Sequence, residues 1–280
     1  MLHKTVNLRL CLAKGTHMVD RCAWIIGIGD VEPVVQLVAT QLKPYGISIK
    51  GQKWPLGEKQ AWRASAQEAA GASGRVVIIV ASTESYNNKD IRRELALFRI
   101  MLQTFLKQPV AGFVILTDPK KQPEFDPALF GINILEDWEV VSGTTWPAKV
   151  IARLHAPKKS TWPIKIEIFA QEKLGVWISV NPEPGSTTQG CVVGVSGNNA
   201  DISFHAVGLA GRLPERSVNE YEIKGLEFDF DDLHFKAWAV QNKIGPDDAY
   251  YVRIEGEPDV ISAGGFPNGE IGDLALLYLK

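Results

Sequence analysis

The chain has little of what builds metal centres or covalent frameworks. Among its 280 residues are 3 cysteines and 5 histidines. Cys11, Cys22 and Cys191 are odd in number and lack metal-type spacing, which argues against zinc and disulfides and for a reducing compartment. His3, His17, His155, His205 and His234 make no cluster. Apolar runs are also short. Those around Ile25 and Val77 soon end at glycine or charge, well below the roughly 18 residues of a membrane span, so the expectation is a soluble, cytoplasmic protein with no membrane partner. No Gly-Lys-Ser/Thr occurs, and Gly27-Ile28-Gly29-Asp30 lacks the third glycine of a dinucleotide fingerprint. Asp30 stands alone after the first apolar run, where a phosphoacceptor domain wants clustered acids.

What is present is a globular composition, 45% hydrophobic and 22% charged. Residues 1–17 carry Lys4, Arg9 and Lys14 but no signal-peptide core, so they read as an extension or remnant before Met18. Residues 18–156 alternate apolar runs with helix-period stretches, the pattern of a parallel sheet covered by helices. Strands are predicted over 23–28, 46–49, 76–81, 112–116 and 132–135. Helices are predicted over 31–45, 58–70, 89–107 and 147–154.

The Pro-bounded polar stretch 157–163 reads as a linker. Residues 164–280 show strand runs at 164–170, 176–181, 191–196, 201–207, 226–231, 235–240, 250–255 and 274–279, with no helix-period stretch. An antiparallel β-sandwich or barrel is expected there. Charge divides with pattern. The residues after Trp162 carry 9 basic and 18 acidic side chains, leaving 21 basic and 14 acidic before it. That asymmetry suits docking of the halves or an anionic ligand on the first, as well as ordinary scatter on solvated faces. In the second half, Asp229, Asp231 and Asp232 read as a strand entering a turn, with calcium as the minor alternative. His205 and His234 fall in predicted strands and read as satisfied sheet residues.

The order of short features over 23–118 resembles the Toll/interleukin-1 receptor (TIR) domain family. Four places carry the likeness: Trp24-Ile25-Ile26-Gly27-Ile28 ending at Gly29-Asp30; Tyr45 to Ile49 followed by Trp54-Pro55-Leu56-Gly57-Glu58; the buried run Val76 to Ala81 ending at Ser82; and Ser85-Tyr86 with Asp90-Ile91-Arg92-Arg93-Glu94-Leu95. The last is similar to the family's Ser-x-Trp-x-x-x-Glu-Leu segment, with Asp90 where the family has Trp. No acidic residue directly precedes Leu56-Gly57, a second departure.

The resemblance implies a flavodoxin-like fold and, in catalytic members, cleavage of the nicotinamide–ribose bond of NAD. Glu94 matches the catalytic glutamate by position. NAD would be the substrate, and no cofactor or metal is implied. The resemblance also points to Gly29, Asp30, Trp54, Ser82, Tyr86 and Asp90 as lining a nucleotide pocket, to self-association through this domain, and to antiviral or stress defence. The second half would then be a sensor or oligomerisation module for an unknown ligand or protein.

The residues themselves leave alternatives open. Ile91, Leu95, Phe98, Leu102 and Phe105 form one helical stripe, and Glu94 flanks it beside Asp90. In the structural alternative Asn87 caps this helix, Asp90 complements its dipole, and Glu94 pairs with Arg93 or an arginine of another helix. Trp54 and Tyr86 would then be packing residues. A non-catalytic interaction module fits that alternative.

Overall fold

The computed structural model describes residues 22–118, 131–156, 162, 164–182 and 185–280. The extension at 1–17 lies outside the described residues, as does the linker at 157–163 except for Trp162. The chain forms two compact units. The described residues 22–118 and 136–156 make the first, and 131–135 with the residues from 162 onward make the second.

In the first unit β1 (Cys22–Gly27) is apolar throughout and fully buried, as a central strand covered on both faces must be. It is followed by α1 (Glu32–Leu42), with a proline in its first turn, then β2 (Ser48–Lys53), α2 (Ala61–Gly71) and β3 (Gly74–Ala81). The short α3 (Thr83–Asn87), α4 (Lys89–Leu106) and β4 (Ala111–Leu116) come next. After β4, β5 (Ile132–Asn133) belongs to the second unit, while β6 (Glu139–Val140) and α5 (Trp146–His155) complete the first. The sheet is parallel in the order β2-β1-β3-β4-β6, the flavodoxin-like arrangement. Ala23, Ile25, Val76, Ile78 and Phe113 pack with Val38 and Leu42 of α1 and with Trp146 and Val150 of α5. On the helical side α2 lies against α4.

Three expectations need correction here. The second strand lies at 48–53, not 46–49, because Gly46 adopts φ +67° and closes a 3-10 turn over Lys43–Tyr45. The apolar run 132–135 does not supply the fifth parallel strand; β6 does, and β5 pairs with the C-terminal strand of the second unit, to which it belongs. So short a run has no periodicity to choose its sheet. The stripe on α4 is buried at Leu95, Phe98 and Leu102, but Phe105 is 45% exposed and Arg92, Arg93 and Arg99 are buried.

Arg99 shows how such a charge is accommodated. It forms a bidentate pair with Asp137, donates to Gln103, and lies 5.6 Å from the Trp138 ring centroid. Arg99→Met should lower stability by about 2–3 kcal/mol, below the usual cost of breaking a fully buried pair because Asp137 keeps some contact with water. Chemical denaturation measures this, and an unchanged midpoint would contradict it.

The second unit is all-β: a large, curled, mostly antiparallel sheet. Besides β5, its strands are β7 (Lys165–Gln171), β8 (Gly175–Asn181), β9 (Thr188–Leu209), β10 (Ile223–Phe230), β11 (Leu233–Ile244), β12 (Asp248–Gly264) and β13 (Leu274–Tyr278). The expected strands 191–196 and 201–207 are one strand, β9, which pairs with β12 along most of its length. Register shifts between Arg253 and Val260 divide this ladder, and beyond them β12 exchanges its other neighbour from β8 to β13. Gly256 makes the irregularity feasible. It has φ +73°, and a Cβ there would lie 1.9 Å from the Asn199 carbonyl oxygen. Among the described residues no helix is long and apolar enough to cross a membrane.

Candidate functional site

In an open parallel sheet the natural ligand crevice lies beyond the carboxyl ends of the strands, where the strand order reverses. Here that point is between β1 and β3. The ladder pairs Gly27 with Val80 on one side and with Lys53 on the other, so the loops that begin at Ile28, Trp54 and Ser82 emerge together. Gly29 turns the chain with φ +80°, and a Cβ added there would meet nothing within 4 Å. Asp30 is fully exposed and pairs with Lys53 at 2.9 Å; that hydrogen bond and charge hold its carboxyl below the usual range. Ser82 is the N-cap of α3: its Oγ accepts from the Ser85 N–H at 3.1 Å and donates to Ser85 Oγ at 3.0 Å.

Sequence reasoning missed Asp118 and Lys53 at this edge. Asp118 Oδ1 accepts from the Thr83 N–H at 2.7 Å and from Thr83 Oγ1 at 2.9 Å, tying the end of β4 to the start of α3. An acid two residues beyond a predicted buried strand was the available signal.

The remaining expected residues separate. Trp54 is buried, with its ring edge-on to Phe98 at 5.9 Å. Tyr86 is fully buried beneath the Arg92 guanidinium, and its hydroxyl has no hydrogen-bond partner among the described residues. Burial pushes the Tyr86 phenol up to about 12. Both are packing residues here, and neither ring is available for stacking. Asp90 is exposed and pairs with Arg93 at 3.1 Å. The helix cap is Asn88, whose Oδ1 accepts from the N–H groups of Asp90 and Ile91; Asn87, the expected cap, is instead the last residue of α3.

Glu94 is half-buried on α4 and faces α2. Its Oε2 accepts from the Trp62 N–H at 3.4 Å, in the first turn of α2. Gln60, the N-cap of that helix, supplies no side-chain cap, so Glu94 does so from the neighbouring helix. Arg63 feels the Glu94 charge, which partly offsets the lowering of its pKa by burial. The helix N-terminus and this guanidinium favour an anion at this place, directly after the exposed residues 56–60.

In the second unit His205 is buried and bonded at both ring nitrogens, to Tyr250 Oη and to Glu222 Oε2, each at 2.8 Å. Because a carboxylate only accepts, Nε2 carries the proton and Nδ1 accepts from Tyr250 in the assigned tautomer. Hydrogen bonds from Lys224, Asn219 and His205 bring Glu222 down to about 2, while burial lowers His205 against the pull of Glu222. Protonation of a lowered histidine favours the unfolded chain. Stability should therefore fall as pH drops below the ordinary histidine value of 6.5, with a slope of at most about 1.4 kcal/mol per pH unit. Glu222 adds a second loss in the same direction below its ordinary 4.5. Thermal melts from neutral to mildly acid pH check this: His205→Gln should flatten the upper part of the profile, and an unchanged slope would contradict the assignment.

Among the described residues no three His, Cys, Asp or Glu gather as metal ligands, and Asp229 is paired with His234 at 2.8 Å across the β10–β11 turn. Neither the protein-family models nor the curated proteins contain a match to this chain.

Proposed function

We propose that the chain is a TIR-like effector that cleaves the nicotinamide–ribose bond of NAD, with the α/β unit as the catalytic part and the β unit as a sensor or oligomerisation module. The observation that carries this reading is the position of Glu94, a half-buried carboxylate at the first turn of α2, next to the exposed residues 56–60. The carboxyl edge of β1, where Gly29 and Asp30 begin the loop beside β3, is the place at which an open parallel sheet takes its ligand, and it supports the reading.

The chemistry asks for one carboxylate. As the C1′–N bond breaks, its electron pair leaves with nicotinamide, which departs neutral and needs no acid. The ribose acquires oxocarbenium character, which the Glu94 carboxylate stabilises while accepting from the ribose hydroxyls. Water then bonds to C1′ and releases a proton, giving ADP-ribose and nicotinamide. Trp62 N–H and Arg63 hold the carboxylate in place before the substrate arrives.

A second reading, a non-catalytic module that binds other TIR-like surfaces, is favoured by the burial of Trp54 and Tyr86 and the surface pairing of Asp90. An NAD analogue whose ribose ring oxygen is replaced by carbon separates the two, because it keeps the shape of NAD but cannot form the oxocarbenium ion. Saturable binding of this analogue supports the enzyme; no binding at any protein concentration supports the module.

A further inference from the structure

We infer that the free edge of β10 takes residues 4–14 of a second copy of this chain as a further antiparallel strand. β10 is the outermost strand of its sheet: β11 pairs one edge, and among the described residues nothing pairs the other. Such an edge offers unused backbone N–H and C=O groups to an extended segment that matches it. Gly225, at φ +66°, and the register shift between Ile223 and Leu226 confine the regular part of the strand to 226–230.

The two faces of this strand differ. Leu226, Phe228 and Phe230 alternate with Glu227 and Asp229. Leu226 and Phe228 pack on the core while staying partly exposed, and Phe230 is 38% exposed. Glu227 and Asp229 are exposed, as are Asp231 and Asp232 in the turn to β11. Asp229 pairs with His234, whereas Glu227, Asp231 and Asp232 make no ion pair among the described residues. Lys236 lies opposite Glu227 in register but is bonded to Asp201. This charge disfavours a second β10 as neighbour, because like charges would stand together across the pair. A basic strand with the same alternation fits.

Residues 4–14, which lie outside the described residues, have that pattern in the sequence. Val6, Leu8, Leu10 and Leu12 alternate with Asn7, Arg9 and Cys11 between Lys4 and Lys14, with no acidic residue among them. With Leu8 opposite Phe228 in an antiparallel pair, Arg9 falls opposite Glu227, Leu10 opposite Leu226 and Val6 opposite Phe230. The apolar pairs extend the packed face, and the ion pair forms on the other. Glu227 has no competing cation, which selects this register over the one that sets Arg9 opposite Asp229. The inference does not rest on NAD cleavage.

The probe is a fluorescently labelled peptide of residues 4–14, and the receptor is the full chain carrying Arg9→Glu, whose own segment has the wrong charge to compete. Anisotropy should show saturable binding that weakens with salt. Adding Glu227→Lys to the receptor should weaken binding roughly tenfold. The Glu227→Lys chain should in turn prefer a peptide carrying Arg9→Glu over the original, a reversal that misfolding cannot produce. Two backbone-methylated peptides, one modified at residues 7, 9 and 11 and the other at 8, 10 and 12, should behave oppositely, because only one set directs its N–H groups at β10. Wild-type chain should bind within about threefold of the Arg9→Glu chain, since a segment donated by a second copy is released on dilution. No saturable binding, equal behaviour of the two methylated peptides, or no reversal of preference would overturn the assignment. A wild-type chain that binds far more weakly would show β10 filled from within its own chain and overturn the second copy.

Discussion

Glu94→Gln should lower nicotinamide release from NAD by about 10² to 10³ and leave the fold intact. Glutamine keeps the length of the side chain and its helix propensity. Its carbonyl can still accept from the Trp62 N–H, so α2 retains a cap. What is removed is the charge, and with it the partner of a developing oxocarbenium ion. Because Glu94 also caps a helix, Glu94→Ala would confuse the two roles, and the glutamine variant separates them. Circular dichroism should report an unchanged melting profile to within the few tenths of a kcal/mol that a neutral acceptor in place of an anion costs at a helix start. Release at the wild-type rate in this variant would remove Glu94 from the chemistry. A rate loss accompanied by unfolding would mean that the cap accounts for the effect.

The largest effect on stability is expected at Gly112. This residue lies in β4 directly beneath the buried Trp138, and a Cβ there would come within 2.1–2.3 Å of the indole ring. The ring has little freedom to withdraw. Arg99 lies over it, and Asp137, the residue before it, holds the Arg99 guanidinium. Gly112→Ala should therefore destabilise the α/β unit by about 3 kcal/mol, the upper part of the usual overpacking range. Equilibrium denaturation gives the value. A loss below about 1 kcal/mol would mean that Trp138 swings away freely and that the Arg99–Asp137–Trp138 arrangement is not rigid.

These two positions show what the sequence made legible and what it did not. The buried strands β1, β3 and β4 are apolar runs between glycines and helix-period stretches, and their parallel arrangement follows from that alternation. The edge strand β2 was misplaced because Ser-Ile-Lys-Gly-Gln-Lys carries almost no apolar signal. In the second unit, strands β9 and β12 run through their own irregularities, and turn-forming residues such as Gly197, Asn199 and Gly256 read as chain breaks when they are bulges within a strand.

The candidate site was legible in part. Gly29, Asp30 and Ser82 lie at the carboxyl edge of the parallel sheet because a strand's carboxyl end can be read from its last apolar residue. The inward turn of Trp54 and Tyr86 depends on α4, which packs across them, and no local pattern encodes that contact. The buried arginines of α4 were unreadable for a related reason. Arginine is an exposed residue by default, and its burial here rests on partners far away in the chain, such as Asp137 for Arg99. The Asn181–Asp248 hydrogen bond and the His205–Glu222 pair likewise join residues that only the sheet brings together.

The central claim, that this chain cleaves NAD, is tested most directly by incubating concentrated wild-type protein with NAD and separating the products by chromatography. Concentrated protein is the relevant sample because the TIR resemblance on which the proposal rests implies self-association through the α/β unit. The account predicts nicotinamide and ADP-ribose in equal amounts, accumulating in proportion to time and more steeply than in proportion to protein concentration. NAD recovered intact across the whole concentration range would contradict it.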